Sequence, residues 1–228
     1  MSTNPSSQNV LAVDRAYVKT YMGEEEGAYT NTLPHFARTS ERQLIIKDRD
    51  ALMSDPLHTA IMVHVVLRIK YDNNVIHYCS FRRSVSKADS NSVGKVGIGI
   101  TGYIDLADVN IQVFKSRGHI EIFRTVMHTT EKVLQRGLVV KDQAGVPLTS
   151  FERFVGPAGL FIADARKELL ATNMAIVMLG DLPSTFTVMS RSDQIETLPL
   201  MSASELSDSG LPLNRWTQLC LEKLSKKL

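Results

Sequence analysis

A glycine-rich strand that feeds an amphipathic helix constrains this chain more than any other feature. The stretch runs from Val96 to Val140. Its first half, VGIGITGYIDLAD, reads as a tight strand that ends in a loop at Asp105 to Asp108. Its second half predicts a helix from about Arg117 to Arg136. Ile120, Phe123, Met127, Leu134 and Leu138 form one narrow apolar stripe on it, and Arg124, His128, Glu131 and Gln135 lie on its flank. Gly137 fits a C-terminal cap. A glycine-lined loop before a helix can bring backbone close to a phosphate.

The flanking segments alternate in type. Thr59 to Ile69 carries Ile61, Val63, Val65, Val66 and Ile69, a β-branched run that predicts a buried strand. Tyr71 to Asn74 reads as a hairpin turn, and Val75 to Arg82 as the returning strand. Further strands are predicted at Val96 to Ile104, Phe154 to Asp164, Met174 to Leu179 and Thr185 to Arg191, with turns around Arg166-Lys167 and Asp181-Leu182-Pro183. Val10 to Val18 reads as the start of a strand or a short helix. Ser202, three residues before Glu205, marks a capped short helix. A final helix runs from Leu213 to Leu228, with Trp216, Leu219, Cys220 and Leu224 on its apolar side. Strands and helices in this order give a mixed α/β arrangement with helices on both faces of the sheet. Residues 1–9 are small and polar and are expected to be disordered, leaving one domain over 10–228.

Composition excludes more than it assigns. A net charge of +2 on 228 residues singles out neither nucleic acid nor membrane, and no basic stripe with interleaved aromatics appears. No apolar run approaches the ~20 residues of a membrane span. The start, MSTNPSSQN, has no apolar signal core. Cys79 and Cys220 suit a reducing compartment and offer no zinc spacing. The expectation is a cytoplasmic protein with no membrane or nucleic-acid partner.

The order of elements, the glycine run and the helix after it resemble the Nudix superfamily, and most closely its branch of predicted phosphoesterases. The residues that carry the likeness are Phe81-Arg82-Arg83, the run Val96 to Ile104 with Asp108, Gly159 to Asp164, and the terminal segment Trp216 to Leu224. Asp55-Pro56 with the apolar strand behind it has a counterpart as well, and with the order of elements the resemblance covers roughly residues 10–226. The resemblance implies an α/β fold, a Nudix-like α/β/α sandwich with a mixed sheet. It also implies hydrolysis of a nucleoside diphosphate linked to another moiety, with magnesium held by carboxylates on the helix, and it makes a homodimer plausible.

The departures fall where that chemistry would sit. The Nudix box is G-x5-E-x7-R-E-U-x-E-E-x-G-U. With its late glycine on Gly137, Thr130-Glu131 stands at R-E, and Leu134 and Gln135 stand at the acidic pair. Ser116 and Ile122 replace the first glycine and first glutamate, and Lys132 replaces an apolar residue. Tyr103 and Asn173 stand where the branch has histidines. Magnesium prefers hard, anionic oxygen ligands, and one glutamate cannot gather that charge.

Two functional expectations follow. The first is an eroded box that binds a nucleotide, a nucleoside-diphosphate derivative or a protein partner, with weak or no hydrolysis. The second is a magnesium-dependent pyrophosphohydrolase with a displaced metal site built from Glu131 with Asp105, Asp108 or Asp164, and with Glu121 as a further candidate ligand, in which Glu131 is catalytic. In either case the candidate ligand contacts are Arg82, Arg83, Gly99, Gly102, Tyr103, His128 and Gln135. Each has a structural alternative. The glycines can pack a strand against a helix, and the arginines can form strand-end charge pairs. Asp105, Asp108 and Asp164 can form turns through bonds to their own backbone.

Overall fold

Thirteen residues, His58–Lys70, form one long strand, and every residue between its ends is buried. Alternating β-branched side chains suit such a strand, because both faces of it pack against apolar neighbours. The computed structural model describes residues 8–23, 29–30, 35–36, 38, 43–52, 54–72, 75–83, 93–109, 121–162, 173–192 and 195–224. In chain order the described elements are β1 (Asn9–Asp14), α1 (Arg15–Met22), β2 (Tyr29–Thr30), β3 (Leu44–Asp48), α2 (Arg49–Leu52), β4 (His58–Lys70), β5 (Ile76–Tyr78), β6 (Phe81–Arg83), β7 (Val96–Gly97) and β8 (Gly99–Tyr103). A 3-10 turn at Leu106–Asp108 follows, then α3 (Ile122–Gly137), β9 (Leu138–Lys141), β10 (Val155–Ile162), β11 (Asn173–Pro183), β12 (Thr187–Ser190), β13 (Ile195–Thr197), α4 (Ala203–Asp208) and α5 (Arg215–Leu224). The main sheet is mixed and follows the hydrogen-bonded order β2-β10-β11-β4-β1-β3, with β5 and β8 also pairing with β4.

The chain divides into two compact units, each assembled from three stretches. Residues 1–63, 102–129 and 158–177 form the first, and 64–101, 130–157 and 178–228 the second. In the first unit β1 pairs antiparallel with β3, from Asn9↔Asp48 to Val13↔Leu44, and with the start of β4. Val10, Ala12, Leu52 and Ala60 cluster beneath this ladder, with Ile45 and Tyr103 packed on them. Asp55 closes the turn before β4. Its carboxylate accepts from the Leu57 amide and pairs with Lys47 and with His58 Nδ1 at 2.8 Å. Burial would raise its pKa, but Lys47, the Leu57 amide and His58 outweigh that cost and hold it at about 2.

In the second unit the end of β4 turns back into β5, from Arg68↔Tyr78 to Lys70↔Ile76. β6 lies between β13 and β7, and β9 pairs with β12. The start of α5 is stitched to the glycine run. Asn214 Oδ1 accepts the Thr217 amide at 2.8 Å, and Thr217 Oγ1 accepts the Ile98 amide at 3.0 Å. The capping box predicted at Ser202 and Glu205 forms and starts α4.

Several predicted elements differ from those observed. α3 buries Ile122, Thr125, Val126, Thr129, Thr130, Val133 and Leu134, while Phe123 is exposed. The buried stripe is therefore rotated by roughly a third of a turn from the predicted one. Three threonines line it, and a reading of apolar residues alone passes over them. Gly137 is the last helical residue and leads straight into β9, without the left-handed backbone of a C-terminal cap. Asp181, Leu182 and Pro183 continue β11 instead of turning. Val75 to Arg82 is broken at Cys79 and Ser80. Asn9 already belongs to β1. The predicted turn at Arg166-Lys167, the start of the helix at Arg117 and the candidate ligand Asp164 lie outside the described residues.

Candidate functional site

Glu131 is the only acidic residue of α3. It lies one turn before Gln135, so the two side chains share a face of the helix. The Glu131 carboxylate faces the connection between β9 and β10. One of its oxygens, Oε1, accepts from Ser150 Oγ at 2.7 Å, from the Phe151 amide at 2.7 Å and from the Glu152 amide at 3.1 Å. The other, Oε2, accepts from Gln135 Nε2 at 3.2 Å. Gln135 Nε2 also donates to the Thr149 carbonyl at 2.8 Å. Leu134, at the first position of the box's acidic pair, is fully buried.

Asp105 and Asp108 come together in the first unit around the 3-10 turn. Asp105 Oδ1 accepts the Ala107 amide, and Asp108 Oδ2 accepts the Asp105 amide, each at 3.1 Å. The Asp108 side chain is almost wholly buried and also accepts from Thr129 Oγ1 at 3.1 Å. This bond ties α3 to the turn. His128 Nε2 stands 3.9 Å from Asp108 Oδ1, with most of its ring in solvent. Tyr103, at the end of β8, packs on the Val10 cluster, and the Arg49 guanidinium lies 6.0 Å from the centre of its ring. Gly102 precedes it in the same strand. Thr129 was missed in the sequence reading, although its spacing from Thr125 is a usable signal. Its hydroxyl donates to the Thr125 carbonyl as well.

The other candidates belong to the second unit. Arg82 stands directly across from Glu196 in the β6–β13 ladder and pairs with it at 3.6 Å. Arg83 stands opposite Ile195 in the same ladder. At Gly99 a Cβ would meet the His64 ring and the Val65 carbonyl, each at 2.7 Å. The carbonyl is backbone and cannot move aside, so close packing alone requires glycine there. Gly99→Ala is therefore expected to lower stability by about 1–3 kcal/mol, measured as a shift in the denaturant midpoint. An unchanged midpoint would show that the strand has room to spare. His64, buried within β4, holds Thr101 Oγ1 at 2.9 Å from its Nδ1 and packs on the Trp216 ring. Burial pushes its pKa down to about 3, so it is neutral at physiological pH.

No protein-family profile matches the sequence, and no curated protein matches it. Solved structures do. The crystal structure of Tm1382, described as a candidate Nudix hydrolase, superposes with a TM-score of 0.67 at 15% identity, over 97% of this chain and 100% of that one. The chain has the Nudix fold. A Nudix hydrolase from Alicyclobacillus acidocaldarius superposes at a TM-score of 0.51 and 12% identity, over 75% of this chain and 92% of that one.

The donor set tests whether α3 suits the divalent ion expected for a Nudix hydrolase. Magnesium takes a near-octahedral set of hard oxygens, and a protein holds it through one or two carboxylates with free lone pairs, waters and substrate phosphates completing the set. The one carboxylate α3 offers already accepts four hydrogen bonds. Among the described residues no group of three or more His, Cys, Asp or Glu side chains is placed to hold a metal ion. The described part of α3 does not fit the ion. No described helix is long and apolar enough to cross a membrane.

Proposed function

We propose that this Nudix-fold protein binds a nucleotide, a nucleoside-diphosphate derivative or a protein partner, with weak or no hydrolysis. The supporting observation is the engagement of Glu131. A carboxylate that serves as a metal ligand must keep lone pairs for the ion. Here Oε1 accepts three donors and Oε2 a fourth. The neighbouring position of the acidic pair is a buried leucine, Leu134, and the next is an amide, Gln135. Without clustered negative charge, nothing on the helix holds the ion that would polarise a pyrophosphate and activate water.

The test is a titration of the purified protein with ADP-ribose, NAD and dinucleoside polyphosphates in the presence of magnesium. Turnover is expected at background for all of them, with binding of one class detectable by calorimetry. Turnover of ~1 per second or faster, within the usual enzyme range, would contradict the reading.

A further inference from the structure

We infer that the site of the fold's metal-binding glutamate has become a conformational clamp, in which Glu131 caps the tight turn that opens β10. This rests on the reading of Glu131 given above, but it is tested without any substrate. The Phe151 carbonyl accepts the Phe154 and Val155 amides at 2.8 and 3.1 Å, so residues 151–154 form a tight turn that leads into β10. Such a turn leaves its first amides without partners along the chain. Ser150 Oγ gives one of them, Glu152, a contact at 3.3 Å. The Glu131 carboxylate reaches across from α3 and accepts from both the Phe151 and Glu152 amides. Gln135 fastens the preceding residue through the Thr149 carbonyl. Phe151, almost fully buried, anchors the turn from the apolar side.

The clamp and a divalent ion would compete for the same oxygens. An ion that took Oε1 would have to strip its three donors and leave two backbone amides uncapped, whereas Oε2 carries the single donor Gln135. The clamp therefore keeps a cation off Oε1 and fixes the β9–β10 connection against α3.

Hydrogen exchange of the full-length protein tests this at single amides, with thermal unfolding run alongside. Charge-assisted bonds are the strong class. Glu131→Gln is expected to speed exchange at Phe151 and Glu152 by about 10–100-fold. Ser150→Ala and Gln135→Ala should speed it less, and they keep the test open should Glu131→Gln fail to fold. Millimolar magnesium is expected to leave both wild-type amides and the melting temperature unchanged. Unchanged exchange in all three variants would overturn the clamp. So would magnesium protection of the wild type that Glu131→Gln abolishes. Turnover with the clamp intact would sink the functional reading and leave this one standing.

Discussion

Acidification from pH 6.5 toward 3 is expected to destabilise this protein with the slope of one proton per molecule, through one residue. That residue is His64, which burial holds at a pKa of about 3, below its ordinary value of 6.5. Between those values the unfolded chain binds a proton at His64 and the folded chain does not. Stability therefore rises with pH through this window and is fully present only above 6.5. Asp55 adds a second window lower down. Its folded pKa of about 2 lies below the ordinary 3.8, so its contribution is present above 3.8 and is lost as the pH falls through 2. Urea unfolding of the wild type and of His64→Gln at several pH values separates the two. The wild type should lose about one proton's worth of slope more than the variant between pH 6 and 4. Equal slopes would mean that His64 protonates in the folded state.

Asp181→Ala is expected to destabilise the second unit strongly. Arg68 is buried, its side chain 8% exposed, and it holds Asp181 in a two-pronged pair at 2.7 and 2.9 Å. Its remaining nitrogen, Nη1, is buried with no hydrogen-bond partner among the described residues. Removal of Asp181 leaves a guanidinium in the sheet without its counter-charge. Breaking a buried pair costs about 3–5 kcal/mol. Asp181 is half exposed and water can partly replace it, so about 3 kcal/mol is expected here. Arg68→Met together with Asp181→Ala should recover much of that loss, because no charge is then stranded. A double variant as unstable as Asp181→Ala alone would show that packing, and not the charge, sets the cost.

Asp181 also shows where sequence reading stops. Asp-Leu-Pro suggests a turn from local chemistry alone. The strand continues because Arg68, 113 residues earlier, supplies a partner on the neighbouring strand. β4 was legible because its β-branched run carries its own signal. The capping box at Ser202 and Glu205 was legible because both halves lie three residues apart. The face of α3 was misread because buried threonines are satisfied by hydrogen bonds, such as that from Thr129 to Asp108. The turn-forming alternative for Asp105 and Asp108 needed only their own backbone, so spacing revealed it. Glu131 was conspicuous as a lone acid on the helix, but its partners at Ser150, Phe151 and Glu152 lie about twenty residues away and carry no motif.

The most direct measurement of the central claim is a crystal soaked with magnesium and ADP-ribose, inspected around Glu131. The expected result is Glu131 still bonded to Ser150 and to the Phe151 and Glu152 amides, with no ion at the ~2.1 Å of a magnesium–oxygen bond. An ion held there by Glu131 and at least two further carboxylates would contradict the claim.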